Sequence, residues 1–139
     1  MKIKPTYITW EQAKLAHSKG LLREDFGVGY SSITRPYYNE KGEFNGDCTE
    51  HIKRLIEKQE TFLYAAPEQW QLVEWLRLNH GIWITLDIDI NGVYRLTIRK
   101  YNSVDRAWEV KHPTTISERY NSPQEAYSEA FDYILKELI

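Results

Sequence analysis

Cys48 and His51 stand at the C-x-x-H spacing from which zinc sites are built, and Asp47 adds an adjacent oxygen ligand. Zinc needs four ligands, and no second pair of cysteine or histidine lies at a matching distance, so a solvated helix start is the better reading. The remaining histidines, His17, His80 and His112, are scattered along the chain. Asp87 and Asp89, two residues apart on one strand face, have a spacing that suits acid–base work or a magnesium ion. Arg95 is expected directly across from Asp87, however, and a cross-strand ion pair is the default explanation. Gly27-Val28-Gly29 is too short for a phosphate loop, and there is no nucleophile elbow, Walker loop, G-x-G-x-x-G or H-E-x-x-H. The sequence therefore assigns no catalytic residue, no metal site and no cofactor, and a binding role is expected over an enzymatic one.

A different constellation suits recognition. Trp83, Thr85, Arg95, Thr97, Arg99 and Tyr101 are expected on the outer face of one β-hairpin, with Trp83 opposite Arg99 as a cation–π pair. An exposed surface of Trp, Arg and Tyr has the composition of a binding hot spot, and it could also stack a base or nucleotide ring. The competing reading is that the N-terminal half folds over this face as a second layer. Tyr37 and Tyr38, beside a Gly-containing loop, form a second candidate tip. A surface hairpin with partly buried tyrosines is the alternative there.

These residues depend on the elements that carry them. Residues 82–90 alternate, with Ile82, Ile84, Leu86, Ile88 and Ile90 facing one way and Trp83, Thr85, Asp87 and Asp89 the other. Asn91-Gly92 marks the hairpin turn. A two-residue loop would set Ile88 against Arg95 and Leu86 against Thr97, burying an arginine. A three-residue loop of Ile90, Asn91 and a left-handed Gly92 instead pairs Ile88 with Tyr94, Leu86 with Leu96 and Ile84 with Ile98. Because a one-residue slip flips every side chain, the pattern selects the bulged loop. A third strand over 106–111 turns Trp108 and Val110 to one face, and 115–120 adds a short fourth at an edge.

Helices frame this sheet. Thr9 and Gln12 make a capping box for a helix over 10–19, ended by Gly20 in a Schellman turn. Pro67 is expected as the first residue of a second helix that ends at Asn79-His80-Gly81. Ser122-Pro123-Gln124-Glu125 starts the last one, whose Ala126, Ala130, Phe131, Ile134 and Leu135 should cross the buried sheet face. Residues 50–60 read as a further helix, 28–35 as a strand, and 37–44 as two short extended pieces around Lys41-Gly42. The expected architecture is α+β in a single domain over 1–139. A three- to four-stranded antiparallel sheet carries helices on one face, with the N-terminal helix and Tyr-rich hairpin at an edge or on the second face.

Bulk properties narrow the role. The chain has 139 residues, with 18 basic and 20 acidic side chains giving a net charge of −2, which argues against a dedicated nucleic-acid binder. One cysteine precludes an internal disulfide, no segment is long and apolar enough to span a membrane, and the N-terminus lacks a signal peptide's apolar run. A cytoplasmic location is expected. Aromatic content is high at 14%, with ten tyrosines and five tryptophans, which favours recognition.

The ordered set EQAKLAHSKG, APEQWQLVEWLRLNHGI and YNSPQEAYSEAFDYILKELI resembles a widespread group of small proteins of unknown function encoded in bacteriophages and prophages of gut bacteria. The likeness covers most of the chain in outline, and residues 50–60 depart from it. It implies a phage accessory protein in the host cytoplasm and carries over no catalytic residue. The leading expectation is a non-enzymatic protein that binds a host or phage protein, such as a component of antiviral defence. The alternatives are a small-molecule or nucleotide-binding module on the hairpin's outer face and a weak single-stranded nucleic-acid binder. A homo-oligomer is compatible with all three, since exposed aromatics can pair with another copy.

Overall fold

The computed structural model describes residues 5–21, 36–45, 64–111 and 119–139. Its architecture is α+β, with antiparallel sheets and helices in two compact units, Met1–Glu68 and Gln69–Ile139. Among the described residues no helix is long and apolar enough to cross a membrane. The readings placed on 28–35, on 50–60, on Cys48, His51 and His112, and on 115–118 lie outside the described residues.

In the first unit, α1 (Trp10–Ser18) begins at the expected capping box. The Gln12 amide donates to the Thr9 hydroxyl at 3.2 Å, and the Thr9 amide donates to Gln12 Oε1 at 3.0 Å. It ends as expected too: Leu21 N donates to the Ala16 carbonyl and Gly20 N to that of His17, with Gly20 at φ 98°. Helix α1 packs on β3 (Tyr64–Ala65), which joins β1 (Tyr37–Tyr38) and β2 (Phe44–Asn45) in the order β2-β1-β3. Ile8, Ala13, Ala16, Leu21, Tyr37, Ala65 and Ala66 are buried here. The sequence marks no strand at 64–65. Two-residue strands have no period to read, and β3 is defined by pairing with Tyr37 and Tyr38.

Pro67 does not start the second helix. Its carbonyl accepts from Ile8 N at 3.1 Å and Glu68 bridges to Tyr7, so both residues are held extended. Helix α2 begins two residues later, at Gln69, and runs to His80. It leads through Gly81 (φ 63°) directly into β4 (Ile82–Ile88), followed by β5 (Tyr94–Asn102), β6 (Ala107–Val110) and β7 (Arg119–Tyr120). The β4–β5 register is the one selected by the hydrophobic pattern: Ile88 pairs with Tyr94, Leu86 with Leu96, Ile84 with Ile98 and Trp83 with Arg99. The other edge of β5 is shared, with β6 pairing along 99–102 and β7 along 94–95.

The loop closing this hairpin is also the three-residue form. Asp89 N donates to the Val93 carbonyl, Gly92 N donates to the Asp89 carbonyl, and Gly92 is left-handed at φ 76°. Asp89 Oδ1 accepts from Asn91 N at 2.8 Å and Val93 N at 3.1 Å. The β1–β2 turn repeats this arrangement bond for bond. Asn39 Oδ1 accepts from Lys41 N and Glu43 N, Gly42 N donates to the Asn39 carbonyl, and Gly42 has φ 81°. Asn39-Glu40-Lys41-Gly42-Glu43 and Asp89-Ile90-Asn91-Gly92-Val93 thus share a rule: Asx first, glycine fourth.

Helix α3 (Pro123–Tyr133), capped by the Ser122 hydroxyl accepting from Glu125 N, continues as a π-helical turn over Ile134–Leu138. It lies on β4, β5 and β7, burying Ala126, Ala130, Phe131, Ile134 and Leu135 with Ile82, Ile84, Leu96 and Ile98 of the sheet. Lys100 Nζ donates to the Leu138 carbonyl, and Gln69 Nε2 to that of Gln124. Toward the tip the inner row opens to solvent. Ile90 is drawn into the loop and is fully exposed, and Ile88 is 64% exposed.

Candidate functional site

Strand alternation places Trp83 and Thr85 of β4, Arg99 and Tyr101 of β5, and Trp108 and Val110 of β6 on the sheet face opposite α3. On this face Trp83 and Tyr101 are each 43% exposed, Trp108 49% and Val110 54%.

The aromatic side chains touch one another. Tyr101 and Trp108 are register partners with centroids 5.2 Å apart. Trp83 and Trp108 sit on strands either side of β5, yet their rings meet at 5.8 Å, edge to face at 88°. The two indoles therefore bridge β5. Beside that bridge is an open cleft of about 320 Å³, lined by Trp83, Thr85, Arg99 and Trp108.

Charge around the cleft is unequal. The cation over Trp83 comes from α2 rather than from its register partner. Arg77 lies with its guanidinium carbon 5.2 Å from the ring centroid, held by a two-point contact to Glu74 at 2.7 and 3.2 Å. Sequence reasoning assigned this role to Arg99 from the hairpin register. It missed that α2 ends only two residues before β4, so its last turn overhangs the strand. Arg99 is exposed at the cleft and its guanidinium forms no hydrogen bond or ion pair among the described residues. The side-chain hydrogen bonds of Arg77 hold the Glu74 carboxyl below its ordinary range.

Farther along the face, Asp87 and Arg95 are register partners, but no ion pair forms between them among the described residues. Arg95 acts instead on Asp89, one step along the face, where long side chains reach diagonal neighbours. The Asp89 carboxyl is held below its ordinary range first by the Val93 amide, then by the Asn91 amide, with Arg119 and Arg95 adding to this against the opposing effect of partial burial. Asp89 is therefore a turn-forming acceptor. Among the described residues no three His, Cys, Asp or Glu side chains gather into a metal-binding group.

The predicted site residues divide accordingly. Trp83, Arg99 and Tyr101 come together, and Arg95 lies on the same face toward the hairpin tip. Tyr37 and Tyr38 belong elsewhere. Tyr37 is fully buried, and the Tyr38 hydroxyl donates to the Ile8 carbonyl at 2.6 Å, its ring packed on Phe44. A tyrosine-rich binding tip is therefore corrected to a core contact and a tether. Trp108 and Val110 were missing from the predicted set although their alternation placed them on one face. What was lacking was the β5–β6 register, hidden by an irregular turn that ends on a left-handed Arg106 at φ 52°. Comparison with protein families, with curated proteins and with solved structures finds no match to this chain.

Proposed function

We propose that this is a non-enzymatic binding protein that docks a protein partner on the outer face of its second sheet. One observation carries the reading: Trp83, Trp108, Tyr101 and Val110 form a contiguous, half-exposed apolar patch with an arginine at its margin. Solvated aromatic clusters of this kind cost solubility and are found where a partner covers them. Their composition is that of interface hot spots. The resemblance to small phage-encoded proteins supports a host protein, such as a component of antiviral defence, as that partner, and an accessory role in the phage.

The test is capture from a lysate of gut bacteria by the tagged protein beside two variants. Val110→Glu inserts a carboxylate into the patch while leaving every ring in place, and Trp108→Ala removes the central ring. The expected result is a stoichiometric protein partner held by the parent chain and lost from both variants, each verified to melt cooperatively. Equal capture by the variants, or no captured protein at all, would overturn the reading.

A further inference from the structure

Resting on that reading, we infer that the cleft beside the Trp83–Trp108 bridge takes one aromatic side chain from an acidic segment of the partner, with a neighbouring carboxylate paired to Arg99. The cleft is at the small end for a whole ligand and ample for one side chain. Its two indoles provide apolar walls on which a further ring extends the aromatic cluster.

The sign of the partner's charge follows from which arginine is already satisfied. Arg77 is neutralised by Glu74 in a two-point contact and is already placed over the Trp83 ring. Arg99, exposed at the rim, has no carboxylate among the described residues. Arg95 extends the positive side of the same face toward the hairpin tip. Asp89, on which Arg95 acts, is already engaged by two backbone amides. An arriving carboxylate thus meets an unpaired guanidinium, whereas an arriving lysine meets like charge. Thr85 adds a hydroxyl to the cleft wall for a backbone or carboxylate contact.

Four capped pentapeptides test this: Phe flanked by aspartates, Phe flanked by lysines, Phe flanked by serines, and Ala flanked by aspartates. Binding is read from the indole N–H resonances of Trp83 and Trp108 in the ¹⁵N-labelled full chain, assigned with Trp83→Phe and Trp108→Phe. The aspartate–phenylalanine peptide should move both resonances and bind about tenfold more tightly than the lysine peptide. Replacing its Phe by Ala should abolish the shift, and Arg99→Gln should reduce the acidic preference to within about twofold. Raising the salt to 0.5 M should narrow the preference in the parent chain as well.

Equal binding of the acidic and basic peptides, an acidic preference that survives Arg99→Gln, or no shift with any peptide would overturn the inference. Failure here with lysate capture still sensitive to Val110→Glu removes only the acidic aromatic anchor. Failure of capture with the peptide preference intact removes the protein-docking reading instead.

Discussion

Gly42 and Gly92 occupy the same position in two superimposable turns, with φ of 81° and 76°, yet their surroundings differ completely. A Cβ built on Gly92 meets nothing within 4 Å. One built on Gly42 lies 2.7 Å from Trp10 Cε3 and 2.8 Å from Cδ2. The second of these atoms lies at the ring fusion, so the clash cannot be relieved by turning a flexible end, and the whole indole must translate. The same ring carries the Lys14 ammonium, 3.8 Å from its centroid. Gly92→Ala should therefore show only the left-handed backbone penalty, about 1–2 kcal/mol. Gly42→Ala should add an overpacking cost of about 1–3 kcal/mol, for a total of roughly 2–5 kcal/mol. Gly20→Ala, in the same unit as Gly42, left-handed and unobstructed, isolates the backbone effect there. Urea unfolding of the three variants gives the comparison. A cycle with Trp10→Ala then measures the coupling, expected at about 1–3 kcal/mol. If Gly42→Ala proves no worse than the other two, or the coupling falls below about 0.5 kcal/mol, the indole does not rest on that turn.

The Asp89 carboxyl, held below its ordinary value of 3.8, stabilises the fold when ionised. That contribution is complete above pH 3.8 and is lost as pH falls through the lowered value, so acid unfolding should shift in Asp89→Ala, whose stability changes less over that range. Tyr120 donates to Glu129 at 2.9 Å, and burial together with the Glu129 carboxylate raises its phenol above 10.0. Its stabilisation is intact below pH 10 and is lost as pH rises further. Tyr120→Phe should cost about 0.5–1.5 kcal/mol at neutral pH and remove one late-titrating phenol from the absorbance titration. At the site, Trp83→Ala should lower stability by about 2–3 kcal/mol because more than half of the ring is covered, whereas Arg99→Gln should stay within about 0.5 kcal/mol by urea unfolding.

What could be read in the chain was whatever rests on local rules. The capping box at Thr9, the Schellman ending at Gly20, the Ser122 cap and the bulged register of β4–β5 each follow from a few adjacent residues and one periodicity. What could not be read depends on distant partners. Pro67 satisfies every local requirement of a helix start and is overruled by a hydrogen bond from Ile8. Tyr37 looks like a loop residue and is buried because β2 and β3 flank it on both sides. The site was half legible for the same reason. The Trp83–Arg99–Tyr101 face came from strand alternation, whereas Trp108 depended on an irregular turn and Arg77 on the overhang of a helix end.

The indole bridge over β5 has an optical consequence. Two indoles 5.8 Å apart in near-perpendicular planes couple their electronic transitions, giving a chiral signal in circular dichroism that isolated tryptophans lack. Anything that wedges the rings apart weakens this couplet, and anything that locks them sharpens it. The surface proposed for recognition thus carries its own label, readable without attaching a dye.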